Sequence, residues 1–200
     1  TKSISTNKTS MDRPYSLTWT HRPAWELAQL IREREVTAET VVQAHLTQIK
    51  HHNPQIKAVS VLDEEEALVR ARQADQELSA GSNEIGPLHG VPITLKDHVI
   101  VKGMRTTLGL PQYWSYRPSK DCELVARLRR AGAIILGRTN VPFGCYDWNC
   151  RNPIYPETVN PWNSSRTPGG SSGGAAVAIA TGMTPLDMGS DLAGSIRLPS

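Results

Sequence analysis

A chain of 200 residues, 38% hydrophobic and 20% charged, is long enough to hold one domain with its own core or part of a larger one. Its formal net charge of +3 is small, its basic residues are mixed with acidic ones in stretches such as RARQAD, and it has one phenylalanine, so a nucleic-acid-binding stripe is not indicated. No apolar run reaches membrane-spanning length, and the three cysteines (Cys122, Cys145, Cys150) are an odd number that fits free thiols in a reducing, cytoplasmic setting.

Residues 1–22 begin TKSISTNKTSMDRPYS, with no apolar centre, and are expected to be a disordered or extended lead-in without a secretory leader. From Pro23, the spacing of Ala24, Leu27, Ala28 and Ile31 predicts a helix. A second helix follows Thr37 as N-cap, with Ala38, Val41, Val42, His45 and Ile49 on one side. His51 and His52 fall near its end, where positive charge suits the helix dipole. Residues 58–62, AVSVL, read as a short strand. A third helix starts near Asp63, with Glu64, Glu65 and Glu66 in its first turn and Ala67, Ala71, Ala74 and Leu78 as its apolar face.

After Gly90 the pattern changes. VPITL is a strand leading into Lys96, SKDCELVARLRRAGA a helix with Ser119 as cap, and AIILG an apolar strand of the kind covered on both faces. A long loop rich in Pro, Asn and Trp runs over 139–168. It is followed by GGSSGG, the small-residue helix AAVAIA and a last strand near TPLDMGSD. This succession predicts an α/β fold with a partly parallel sheet.

GGSSGG, residues 169–174, admits three readings. As a linker it is misplaced, because an all-apolar and therefore buried helix follows at once. As a phosphate cradle it lacks both GxxxxGK[ST] and GxGxxG. As a nucleophile elbow, Gly170, Ser172 and Gly174 fit G-x-S-x-G, but no histidine occurs after His98 to complete a triad in that order. A second cluster, GSDLAGSIRLPS, puts Ser195 24 residues beyond Ser171, and GVPITLKD puts Lys96 at a strand end before both.

The segments GPLHGVPITLKD, GAIILGRTNVP, NPWNSSRTPGGSSGGAA and GSDLAGSIRLP together resemble the amidase signature family, from about Pro23 to the last residue. The resemblance implies a mixed, partly parallel sheet covered by helices on both faces. It makes 23–200 the N-terminal part of a single domain, incomplete in this chain because family members are more than twice as long. It implies an amide hydrolase with Ser195 as nucleophile. Ser171 becomes the bridging serine, in a cis peptide with Gly170, and Lys96 the general base. The backbone N–H groups of Leu192, Ala193, Gly194 and Ser195 would hold the oxyanion, with Gly170, Ser172, Asp191 and Arg197 in support. A small-molecule amide substrate is implied, with no cofactor and no metal, no nucleic acid and no membrane; a homodimer and a separate C-terminal portion are both allowed. Alternatives within this reading are the glutamine-hydrolysing component of an amidotransferase and a non-catalytic fragment that binds or assembles. The chain departs from the family's commoner residues at Ala193 (usually Gly), Leu192 (often Thr or Ile), His98 (often Asn) and Asp187 (often Gly, in some members an acid).

Lys96 faces a clear physical demand. A free lysine titrates at about 10.4 and is a poor base at neutral pH; burial at a strand end can lower that by several units. Other candidates have plainer readings. His45 fits core packing, His51–His52 a helix end, and Cys145 and Cys150 lack a second pair at zinc spacing. Trp148, Tyr155 and Trp162 in the long loop fit pocket walls and loop packing equally.

Overall fold

The computed structural model describes residues 19–81 and 85–200. Residues 1–18 of the expected lead-in lie outside these. Residues 19–22 form a turn in which Thr20 is buried and Trp19 packs against the core, so the fold is already under way before Pro23.

Helix α1 spans Ala24–Arg32 and buries Leu27, Ala28 and Ile31, the stripe that the spacing predicts. Helix α2, Ala38–Ile56, starts where Thr37 Oγ1 accepts from the Thr40 amide at 3.1 Å, satisfying one of the orphan donors of the first turn. Two more of those donors, the amides of Ala38 and Glu39, reach the Asp75 carboxylate at 2.7 and 3.1 Å. Asp75 lies on α3, Glu64–Ser79, so this cap also joins the two helices. His45 is wholly buried on α2, its Nδ1 2.8 Å from the Val41 carbonyl, and burial lowers its pKa to about 4. It is a neutral packing residue.

The sheet has four strands in the order β1–β3–β2–β4: β1 Val59–Leu62, β2 Pro92–Lys96, β3 Ile134–Thr139 and β4 Asp187–Met188. β2 runs parallel to both of its neighbours and β1 antiparallel to β3, so the sheet is mixed and partly parallel. Every residue of β2 and β3 is buried. Successive strand side chains point to opposite faces, so both faces are covered, and α2, α3 and α5 (Gly173–Ala180) supply contacts to the sheet. Gly137 has no room for a side chain: a Cβ there would stand 2.1 Å from the Val61 carbonyl oxygen on β1.

Two expected boundaries shift. Helix α4 is Glu123–Arg130 with Cys122 at its N-cap, so Ser119 does not cap it. The preceding residues are engaged by an earlier loop instead: the Cys122 amide donates to the Ile100 carbonyl, and Asp121 accepts from the Lys102 amide at 2.7 Å and pairs with Arg129. The AAVAIA helix begins at Gly173 and is not covered all round, since Ile179 is 45% exposed.

Candidate active site

Three stretches distant in sequence meet at the end of β2. Lys96, its last residue, has no accessible surface. Its Nζ lies 2.7 Å from Ser171 Oγ and 3.3 Å from both the carbonyl and hydroxyl oxygens of Ser190. Burial lowers the Lys96 pKa, against weaker opposing pulls from Cys145, Asp187, Cys150 and Asp191. In all three contacts the Lys96 amine is placed to donate, and the Ser171 hydroxyl is the nearest of the three acceptors.

Ser171 sits in the turn that feeds α5 and is buried. The Gly170–Ser171 peptide is cis. The glycines around it serve mainly to let other chain segments approach. Gly169 combines a positive φ of 82° with a position where a Cβ would stand 2.7 Å from Pro199, and at Gly174 a Cβ would stand 2.4 Å from the Asn140 amide nitrogen. Ser172 is the N-cap of α5, but its hydroxyl caps nothing and is buried with no partner among the described residues. Its amide donates to the Ser195 carbonyl at 3.0 Å, tying the GGSSGG turn to the second glycine-serine cluster.

That second cluster, residues 189–200, is organised by one carboxylate. Asp191 accepts from the amides of Gly194 (2.7 Å), Ile196 (2.9 Å) and Arg197 (2.9 Å), and the Arg197 guanidinium clasps it with Nε at 3.0 Å and Nη2 at 2.7 Å. These bonds, with that to Arg197 foremost, hold the Asp191 pKa well below the usual carboxylate range. The Gly194 N–H is therefore engaged by Asp191. Of the four amides expected around an oxyanion, those of Leu192, Ala193 and Ser195 have no acceptor among the described residues.

Behind Lys96 lies a buried ion pair of Asp97 and Arg138, which fall within GPLHGVPITLKD and GAIILGRTNVP but have no role in the expected site. Arg138 Nε donates to Asp97 Oδ1 at 2.7 Å, and both side chains have no accessible surface. Thr107 donates its amide and hydroxyl to the same carboxylate, and Arg138 also donates to the Val99 carbonyl. The signal in the sequence is an arginine directly after the apolar run AIILG, where a buried charge needs a partner. Ser190 is likewise absent from the expected site, although it sits between Gly189 and Asp191 in the second glycine-serine cluster. Burial pushes the Cys145 thiol upward, against the pull of Lys96. Cys150 donates to the Asn140 carbonyl at 3.2 Å, and burial raises it to about 11. Among the described residues no group of three His, Cys, Asp or Glu side chains could hold a metal ion, and no helix is long and apolar enough to cross a membrane.

The family model for the amidases matches residues 40–200. The chain belongs to the amidase family. Curated relatives include the A subunit of the glutamyl-tRNA(Gln) amidotransferase of Acidothermus cellulolyticus, 44% identical over 179 residues, a stretch covering 90% of this chain and 35% of that protein. The protein of the same name from Salinispora arenicola is 43% identical over 176 residues, with 88% and 36% covered. Among solved structures, a fatty acid amide hydrolase superposes with a TM-score of 0.89 at 28% identity, covering 94% of this chain and 33% of the other. A peptide amidase from Stenotrophomonas maltophilia gives 0.86 at 32% identity, with 93% and 39% covered. The chain thus spans about a third of the length of the relatives it matches, and its mixed sheet with flanking helices is part of the amidase signature fold.

Proposed function

We propose that the full-length protein hydrolyses carboxylic amides through an acyl-enzyme on Ser195, with residues 23–200 forming the N-terminal part of a single catalytic domain. The observation that carries this is the buried 2.7 Å contact between Lys96 Nζ and Ser171 Oγ, in a turn joined to Ser195 by the Ser172 amide. Neutral Lys96 takes the proton of Ser171 as Ser171 takes that of Ser195, and Ser195 Oγ attacks the amide carbonyl. The free amides of Leu192, Ala193 and Ser195 would receive the oxyanion, with Gly194 shaping the turn through its bond to Asp191. When the tetrahedral intermediate collapses, the C–N bond breaks and the relayed proton passes to the departing nitrogen. Water then hydrolyses the ester. Ser172 and Gly170 position the bridging serine, and Asp191 and Arg197 position the nucleophile turn.

The relatives named as glutamyl-tRNA(Gln) amidotransferase components support a second reading, in which glutamine is the amide and ammonia passes to a partner. The test is acyl transfer to hydroxylamine by the full-length protein, with simple amides and with glutamine. Transfer from simple amides that Ser195→Ala abolishes supports the first reading. Transfer from glutamine alone, dependent on Ser195, supports the second. Equal activity in wild type and Ser195→Ala would falsify the nucleophile assignment in both.

A further inference from the structure

A second buried carboxyl, away from the Asp97–Arg138 pair, lies beside the base. Asp187 opens β4 and pairs in register with Thr94 on β2, two residues before Lys96. Its Oδ2 accepts from Thr94 Oγ1 at 2.7 Å and from Thr139 Oγ1 at 3.0 Å. Thr139 is in turn the β3 partner of Lys96. The carboxyl therefore reaches across β2 and is held by two hydroxyls that flank the lysine on its own and the adjoining strand. Three residues further along the chain, Ser190 supplies two of the three contacts to Lys96 Nζ. The other oxygen of Asp187, Oδ1, is buried with no partner among the described residues.

We propose that Asp187 is a positioning residue for Lys96: a buried carboxyl, clamped by two threonines across three strands, whose charge sets the protonation of the lysine and so the pH at which the amidase becomes active. This rests on Lys96 being the base. The groups facing the carboxyl are Lys96 on β2 and Arg138 on β3, the latter committed to Asp97. Helix α5, packed on β4, carries no titratable side chain. Around Lys96 the further groups are Cys145, Cys150 and Asp191, with His98 held neutral down to about 4 mainly by burial and also by Lys96 and Arg138. Burial raises Asp187 itself to about 6, while the hydroxyls of Thr94 and Thr139, and then Lys96 and Arg138, draw it down.

The sign is fixed. A negative charge beside Lys96 favours its ammonium form, and the ammonium form is inactive. Removing that charge moves the acid limb of activity to lower pH. The experiment measures ammonia release from a simple amide against pH with full-length wild type, Asp187→Asn, Asp187→Ser and Asp187→Glu. The acid limb of kcat/KM is expected to move down by about one pH unit in the Asn and Ser variants and to stay at the wild-type position in Glu. If turnover is lost, the pH dependence of Ser195 acylation by an active ester, read by mass spectrometry, supplies the same limb. A limb that stays in place in both uncharged variants overturns the proposal, as does loss of acylation at every pH in both. A wild type no more active than Ser195→Ala would sink the amidase reading instead.

Discussion

The two halves of the site are built differently. On the side of the proposed base, Lys96, Asp97, Arg138 and Ser171 are buried, and their partners come from β2, β3, the loop at Thr107 and the turn before α5, with Ser190 reaching in from the other half. On the nucleophile side, residues 189–200 lie largely at the surface: Leu192 is 98% exposed, and the turn is shaped by one carboxylate with Arg197 outside it. The buried half is thus held by contacts between elements distant in sequence. The nucleophile half relies on local hydrogen bonds within a chain about a third as long as its relatives.

The comparison predicts that changes on the buried side cost more, and in the full-length protein the effects should fall in a definite order. Lys96→Met should lower kcat by about 10²–10⁴-fold, the range for a general base, while the protein stays folded by circular dichroism. Asp97→Ala should destabilise by about 3–5 kcal/mol in urea unfolding, because it leaves the Arg138 guanidinium buried and unpaired. Asp191→Ala should lower kcat by about tenfold, as three amides of the nucleophile turn lose their acceptor. Arg197→Ala, which removes only the exposed partner, should leave the urea unfolding midpoint close to that of wild type. An Asp191 or Arg197 change as destabilising as Asp97→Ala would erase the contrast.

Acid sensitivity sharpens the contrast further. His45 is buried neutral, at about 4 in the fold against 6.5 when free. Between those values the unfolded chain binds a proton that the folded chain does not, so stability falls as pH drops through this window. His45→Leu should flatten the dependence of the unfolding midpoint on pH between 6.5 and 4.

The buried half is also the more legible in sequence. Apolar spacing marks α1, α2 and α3, because their buried residues repeat with the helical period. β2 shows as a β-branched run leading to Lys96, and AIILG marks β3, although the strand runs on through Arg138 to Thr139, where the sequence suggests a loop. The start of α4 is misplaced by sequence because Ser119 looks like a cap, whereas Asp121 is recruited by a loop 19 residues earlier, a contact no local pattern contains. The Asp97–Arg138 pair hides for the same reason: its members are 41 residues apart and meet only through the parallel register of β2 and β3. Lys96, Ser171 and Ser195 stand out through motifs. That Asp191 engages the Gly194 amide and leaves three others free depends on the shape of the turn, which residue types alone do not encode legibly.

Trapping the acyl group tests the central claim most directly. The full-length protein is mixed with an active ester, quenched at successive times and digested, and the acylated peptide is identified by mass spectrometry. The acyl group should appear on Ser195, and Ser171→Ala or Lys96→Met should slow its appearance without moving it. An acyl group carried by Ser171 or Cys145, or a rate on Ser195 indifferent to both substitutions, would contradict the account.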